Sequence, residues 1–373
     1  MIAPRVEIAP DKIRHNTRCL VDRLKPRGID VTGVTKAVCG HPAVAIAMLE
    51  GGAIGLADAR ISNIERMRNA GITCPISMIR TPMLSQVDQV VESCDVSYNT
   101  EPAVVAELAA AAQRRRIVHN VILMVEMGDM REGISPKNLD SIARCVFETP
   151  GVALKGIGTN FSCLNKVAPN SSVMAELSSL VSDIEESCGS GLETVSGGNS
   201  SSLTWALGSG PTGRTNNLRL GEAILLGVDP LSHQRISGLH NDAFTLAAEV
   251  IETTTKSEAI LLQIVDSGFS SLRLLPEDHQ RTRIILAIGL QDTDARGLTF
   301  PAGITFIGAT SDHLIVDAPD CRMRPGCEMK IQMNYTALMR AMSAPDIVQV
   351  LHDDTPLPRL ELVEHSRPDL ASM

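Results

Sequence analysis

Aromatic residues are scarce in this chain of 373 residues: Phe, Tyr and Trp together make up 2%, with Trp205 the only tryptophan and Tyr98 and Tyr335 the only tyrosines. The core must therefore be built from Leu, Ile, Val, Ala and Met, and tryptophan fluorescence reports one local site. Excess positive charge is also missing. The formal charge is -9, and no Lys/Arg block is longer than Arg114-Arg115-Arg116, whereas a phosphate backbone needs a basic face. Nucleic acid is not an expected partner, and that triplet reads as a solvated helix end. No apolar run approaches the ~18 residues that cross a bilayer, and the start, Met-Ile-Ala-Pro-Arg-Val-Glu, lacks an apolar signal core. The nine cysteines contain no C-x-x-C pair and no paired metal spacing, so neither a disulfide framework nor a zinc ribbon is implied. A soluble protein of the reducing cytoplasm, without membrane partner or metal, is the expectation.

What is present is ordinary for a globular protein: 44% hydrophobic and 21% charged residues, in a chain long enough for two domains. Through the first 230 residues short apolar runs alternate with longer amphipathic ones. The runs Val31–Thr35, Ile54–Ala57, Ile76–Ile79, Val96–Tyr98, Asn120–Val125, Leu154–Gly158, Glu193–Ser196 and Asn217–Leu220 read as strands. Stretches such as Glu101–Arg114 and Ser172–Glu186 carry apolar residues at helical spacing. Eight such repeats predict an α/β fold, a TIM-like (β/α)8 barrel over residues 1–235, with a doubly wound sheet as the alternative. From 236 to 373 the texture changes to strands without long helices: Thr245–Glu252, Ala259–Val265, Thr282–Gly289, Ile304–Gly308 and His313–Val316. This predicts a mostly β C-terminal domain, joined through Leu231–His240.

Three strand ends carry chemistry. Lys36 closes Ile29-Asp-Val-Thr-Gly-Val-Thr-Lys36, at the rim where β/α folds react. Burial and neighbours can make such an amine a nucleophile or base, although a solvated loop lysine has the same signature. Ser196-Gly-Gly-Asn-Ser-Ser-Ser202 follows a strand and precedes a helical run, and its glycines, hydroxyls and helix start suit a phosphate; a Ser-rich helix cap is the plainer reading. It has neither a Walker lysine nor G-x-G-x-x-G spacing, so a nucleotide is not the natural ligand. Asn217-Leu-Arg-Leu-Gly-Glu222 is the next strand end, with Arg219 on the rim and Gly221 open to close approach. In a (β/α)8 barrel the loops after the last two strands commonly hold phosphate. An amine on the first strand, phosphate cups on the last two and an arginine between them fit pyridoxal 5'-phosphate.

The placing of these motifs resembles the fold type III pyridoxal-phosphate enzymes, the alanine/ornithine racemase family, and within it the ornithine racemases. Met127-Gly-Asp-Met-Arg-Glu-Gly133, Val195–Ser202, Asn217–Glu222, Ala287-Ile-Gly-Leu-Gln-Asp-Thr-Asp294 and Gly308–Asp317 carry the resemblance, which covers most of the chain as far as the region of Tyr335. It implies Lys36 as Schiff-base lysine and one of two bases, and Arg219 facing the pyridine nitrogen, which a guanidinium keeps unprotonated. Ser196, Asn199, Ser200, Gly221 and the Glu222 backbone would form the phosphate cup. Arg131 would lie near the substrate carboxylate, with an ion pair to Glu132 or Asp129 as the alternative. Asn160 falls where alanine racemases carry a histidine against the cofactor. Ser311, Asp312 and His313 match a region that reaches the partner subunit's site, which implies a homodimer.

The main departure is Leu290, in place of the tyrosine that serves alanine racemases as second base. Cys163, Asp292, Asp312 and His313 are the remaining proton carriers by chemistry, with Cys163 preferred; its other reading is a buried apolar thiol. Asp312, with Glu126 or Asp129, would meet the distal ammonium of ornithine or lysine, unless Asp312 only caps a turn. His41 reads as the cap of the helix after Lys36, or as a phosphate contact. The expectation is racemisation of a free basic amino acid at Cα. A metal-assisted aldolase or dehydratase of the same fold and a non-catalytic cofactor-binding protein are the alternatives.

Overall fold

The structure, a computed structural model, describes residues 3–162, 164–256, 281–318 and 323–352. After β1 (Arg5–Ile8), eight parallel strands close a barrel: β2 (Asp30–Val34), β3 (Gly55–Asp58), β4 (Ile76–Met78), β5 (Val96–Asn99), β6 (His119–Met124), β7 (Val152–Gly158), β8 (Thr194–Ser196) and β9 (Asn217–Leu220). The circle closes through β2 and β9, with Thr32 opposite Arg219 and Gly33 opposite Leu220. All eight barrel strands fall where the apolar runs place them, within about two residues, the usual scatter of element ends. Helices α1 (Pro10–Leu24), α2 (Pro42–Glu50), α3 (Ile61–Asn69), α4 (Val87–Ser93), α5 (Pro102–Arg114), α6 (Pro136–Phe147), α7 (Ser171–Cys188), α8 (Leu203–Ala206) and α9 (Glu222–Leu226) accompany the strands.

The local signals are conventional. Proline opens α2, α5 and α6, where its missing N–H costs nothing and its fixed φ fits the first turn. The Asn170 side chain accepts from Val173 N–H at 3.0 Å to cap α7, which ends at Gly189 in the left-handed region.

The second unit is an eight-stranded sheet completed by β10 (Phe244–Lys256), β11 (Arg281–Leu286), β12 (Leu298–Thr299), β13 (Thr305–Ala309), β14 (Leu314–Asp317), β15 (Glu328–Met333), helix α10 (Tyr335–Ser343) and β16 (Val348–Leu351). The long β10 is its spine: its start pairs with β15 and its end with β11, across a bulge between Val250 and Glu252. The predicted strand Ala259–Val265 lies outside the described residues. Four strands, β1, β12, β15 and β16, escape the apolar-run reading.

The compact units run Pro10–Asn241, and residues up to Ala9 with Asp242–His352. Residues 5–8, assigned by the sequence boundaries to the barrel, therefore belong with the sheet. There β1 pairs antiparallel with β10 (Arg5 with Ala247) and parallel with β16 (Arg5 with Val348). Its charges hide the strand: Val6 and Ile8 are fully buried on one face, while Arg5 and Glu7 share the other and are buried as ions. Arg5 binds Glu7 at 2.6 Å and Glu328 at 2.5 Å, and the second Glu7 oxygen meets Lys330 at 2.7 Å and His352 at 2.9 Å. Burial alone raises the Glu7 carboxyl, but the three cationic partners outweigh it and hold the group at about 2.

Candidate active site

The inside of a (β/α)8 barrel is normally filled with branched apolar side chains. Here one level is polar, and Arg219 is its centre. Arg219 lies on β9, 3% exposed, and its Nε donates to Ser196 Oγ at 3.0 Å. Its Nη2 donates to Thr159 O at 2.5 Å and Asn160 Oδ1 at 2.9 Å, and the guanidinium carbon stands 4.9 Å from the centre of the Tyr98 ring. Ser196 Oγ donates onward to Asn217 Oδ1 at 3.0 Å, and Asn217 Nδ2 donates to Thr32 Oγ1 at 2.9 Å, across the seam where the barrel closes. Burial raises the Tyr98 phenol above its ordinary value, with Arg219 and the Ser196 hydroxyl opposing. A buried cation thus has three fixed acceptors and an aromatic face, the conditions under which burying it is tolerable.

Ser196 is an integral part of this polar level. Its hydroxyl donates to Asn217 and accepts from Arg219, so it supports Arg219. Asn199 and Ser200 lie in the loop after β8 and are also occupied locally. Asn199 Oδ1 caps the Ser200–Ser202 turn through Ser201 N–H at 2.8 Å, its amide donates to Phe161 O at 2.9 Å, and Ser200 Oγ accepts from Ala223 N–H at 3.2 Å. That last bond ties the β8 loop to the start of α9. Both loops also hold a glycine in close quarters. Gly198 has φ +105°, and a Cβ there would come within 2.7 Å of Ser202 Oγ; one at Gly221 would come within 3.2 Å of Val34 Cβ.

Lys36 begins a short 3₁₀ turn, Lys36–Val38, two residues past the end of β2, and its side chain is exposed. Thr35 anchors that turn: its N–H donates to Ala57 O at 3.0 Å and its hydroxyl to Asp58 Oδ2 at 2.8 Å. Asp58 is fully buried at the end of β3, and its other oxygen accepts from Arg60 N–H and Asn63 Nδ2. Burial raises its carboxyl, against these hydrogen bonds. Across the seam Glu222 stands within electrostatic reach of Lys36. Burial, then the charge of Asp229, push its carboxyl up to about 7, with Lys36 opposing. His41 occupies the N-cap position of α2 but makes no capping hydrogen bond, so the cap reading fails; Pro42 has already removed one N–H from that turn. Burial, then Arg66, lower the His41 imidazole.

Arg131 lies after β6 and forms the ion pairs anticipated as its alternative. Nη2 donates to Glu132 Oε1 at 2.6 Å, Nε also meets Glu132, and Asp129 lies 3.8 Å away. Glu132 Oε1 in turn accepts from Asn160 Nδ2 at 3.1 Å, which brings Arg131, Glu132, Asn160 and Arg219 into one chain. Glu126 and Asp129, the sequence candidates for a substrate ammonium, each accept backbone N–H groups on one oxygen: Gly128 and Met130 on Glu126, Leu164 on Asp129. Cys163 is outside the described residues.

In the sheet unit, Ser311, Asp312 and His313 form the turn between β13 and β14. Asp312 Oδ1 accepts from the hydroxyls of Ser311 and Thr310, at 3.1 Å each, and lies 3.0 Å from His313 Nδ1. The Ser311 hydroxyl first, then Thr310, hold this exposed carboxyl below its ordinary range, so Asp312 is a charged turn cap. Leu290 N–H bonds Thr310 O at 2.9 Å, which seats Leu290 against that turn. Asp292 is buried and accepts from Gly289 N–H at 2.8 Å, a turn-holding role. Among the described residues no group of three or more His, Cys, Asp or Glu side chains is disposed to hold a metal.

Sequence reasoning missed Tyr98, Asn217, Thr159 and Glu132. The signals were slight: Tyr98 is one of two tyrosines, and Asn217 opens the motif that contains Arg219.

The profile of the alanine racemase N-terminal domain matches residues 8–230, which span the barrel. The chain belongs to the alanine racemase family. Within this family it is 34% identical over 355 residues to a lysine racemase of Thermotoga maritima, covering 94% of this chain and 99% of that one. It is 31% identical to an ornithine racemase of Acetoanaerobium sticklandii, covering 93% and 99%. The alanine racemase of Streptomyces lavendulae superposes with a TM-score of 0.74 at 19% identity over 95% of this chain and 99% of that one. A D-threonine aldolase of Filomicrobium marinum gives 0.72 at 14%, covering 94% and 91%. These two share the fold. No helix among the described residues is long and apolar enough to cross a membrane.

Proposed function

We propose that this chain is a pyridoxal 5'-phosphate-dependent racemase of a free basic amino acid, ornithine or lysine. The observation that carries the reading is the placing of Lys36 just past the end of β2 and of Arg219 on β9, the two strands that close the barrel, in a chain similar over nearly its whole length to lysine and ornithine racemases. The residues fit the cofactor. Lys36 supplies an exposed amine, Arg219 a guanidinium held rigid by Ser196, Thr159 and Asn160, and the turns at Gly198–Ser200 and Gly221–Glu222 supply backbone where a Cβ would crowd.

When bound, pyridoxal 5'-phosphate supplies an electron sink that acidifies the Cα–H of an amino acid. Arg219 stays protonated and keeps a positive charge beneath the mouth. Lys36 Nζ takes or returns the Cα proton on one face. Racemisation needs a second carrier on the opposite face, and with Leu290 in place of the tyrosine this role falls to Cys163. Arg131 holds the substrate carboxylate. The distal ammonium meets the acidic rim, for which Asp312, already charged, is the choice from a second copy of the chain; a cytoplasmic homodimer is the assembly this requires. Seven free cysteines among the described residues fit a reducing compartment.

The test is an absorbance spectrum before and after borohydride, with chiral analysis of L-ornithine, L-lysine, L-arginine, L-alanine and L-serine. A visible band that reduction fixes to the Lys36 peptide, together with D-ornithine or D-lysine, is expected, and both vanish in Lys36→Ala. A band without any change of enantiomer, or retro-aldol turnover with divalent metal, overturns the racemase reading. Absence of any band on adding the cofactor overturns the whole.

A further inference from the structure

Arg131 and Arg219 serve different ends of the site, yet an unbroken line of hydrogen bonds connects them. Arg219 Nη2 donates to Asn160 Oδ1 at 2.9 Å, Asn160 Nδ2 donates to Glu132 Oε1 at 3.1 Å, and Arg131 donates to the same oxygen at 2.6 Å. Arg131 also reaches the other Glu132 oxygen through Nε, so the carboxylate grips the Nε/Nη2 edge of the guanidinium as a fork. We propose that Glu132 is a positioning residue, which sets Arg131 and, through Asn160, Arg219 as one unit.

The argument is one of orientation. An amide can donate to a carboxylate only by presenting its nitrogen, and this leaves its oxygen for Arg219; Glu132 therefore decides which way Asn160 faces. A surface ion pair contributes little, but this one shares its acceptor with a side chain only 6% exposed, and charge-assisted bonds in such surroundings are the strong ones. A neutral residue at 132 would let Asn160 turn over, put its NH2 group against a guanidinium, and free Arg131 to pair with Asp129, 3.8 Å from its Nε. Two cations at one barrel mouth are thus held by one anion placed between them.

The inference rests on the racemase reading for its kinetic arm only, and a double-mutant cycle tests it. Glu132→Gln removes the charge and keeps the shape. Asn160→Asp sets two carboxylates about 3 Å apart. Together the two substitutions restore the link between positions 132 and 160, the new amide donating to the new carboxylate, which accepts from Arg219, while the fork on Arg131 stays broken because the oxygen it shared has become a donor. Each single change is expected to lower kcat/KM for L-ornithine or L-lysine by about tenfold, chiefly through KM for Glu132→Gln, and the pair to be no worse than Glu132→Gln alone. A double variant as impaired as the product of the singles, or a Glu132→Gln enzyme within about twofold of wild type, overturns the proposal.

A second readout needs no turnover. In a Tyr335→Phe background Tyr98 is the only tyrosine, and its near-ultraviolet circular dichroism reports Arg219 above its ring. The band should change in each single variant and return in the double; an unchanged band in Glu132→Gln overturns the chain. If the wild type racemises no basic amino acid, the proposed function fails while the tyrosine signal still decides the role of Glu132.

Discussion

Arg219→Lys is the most informative single change, because it keeps the charge and removes only the fork. Three hydrogen bonds leave Arg219 from two nitrogens, to Ser196, Thr159 and Asn160, and its carbon lies over Tyr98 at 4.9 Å. An ammonium is a point charge that cannot meet acceptors spread along the guanidinium edge, so at least two of the three bonds are lost. Ser196 Oγ keeps Asn217 as acceptor of its proton, but Thr159 O and Asn160 Oδ1 lose their charged donor. At about 1.5 kcal/mol for each bond to a charged group, plus a smaller loss of the ring contact, the cost is about 3–4 kcal/mol. Urea unfolding followed by the fluorescence of Trp205, on α8 directly after the Ser200–Ser202 turn, reads this in the barrel itself. A variant within about 0.5 kcal/mol of wild type would refute the argument that the polar level is held by the fork, since surface changes have that size.

Glu222→Gln should alter how stability depends on pH. A carboxyl raised from 4.5 to about 7 binds its proton more tightly folded than unfolded, so wild-type stability falls as pH rises through that window, by about 3 kcal/mol at most, and the glutamine variant should lack this fall in urea titrations at pH 5 and 8. Glu7 has the opposite sign: held at about 2 against an ordinary 4.5, it contributes stability present above 4.5 and lost as pH falls toward 2. Glu7→Ala, which leaves Arg5 buried without one of its anions, should cost about 3 kcal/mol at pH 7 and show a shallower acid limb; an unchanged acid midpoint contradicts the network. Gly198→Ala places a Cβ 2.7 Å from Ser202 Oγ at φ +105°, and should cost about 2 kcal/mol and weaken cofactor retention on dialysis more than a change in α7 does.

The barrel was legible because its strands are buried on both faces, which writes each as an unbroken apolar run between helices of the right period. The motif strand ends were legible for the same reason: Lys36, Ser196 and Arg219 punctuate those runs. The interior contacts were not. The bonds of Ser196 to Asn217 and Arg219 come from the register of β8 and β9, which the composition of a Ser-rich loop does not reveal. Arg131 looked ambiguous and the structure gives it its ion pair, whereas the side chain that joins it to Asn160 was invisible, because sequence spacing says nothing about two loops meeting. β1 was missed since Arg-Val-Glu-Ile reads as surface until the strand supplying its counter-charges is known.

That first strand has a consequence for the order in which the molecule is made. Arg5 meets its anion Glu328 across 323 residues of chain, and its neighbours on both sides, β10 and β16, lie beyond the whole barrel in sequence. During synthesis β1 therefore emerges with two bare edges and waits, while Pro10–Asn241 can gather its own contacts behind it. The acid and base at positions 5 and 7 that end as buried ions serve in that interval as charges on an unpaired strand, the kind that discourage edge-to-edge association. The same side chains are thus a guard against aggregation on the ribosome and a clasp in the finished sheet.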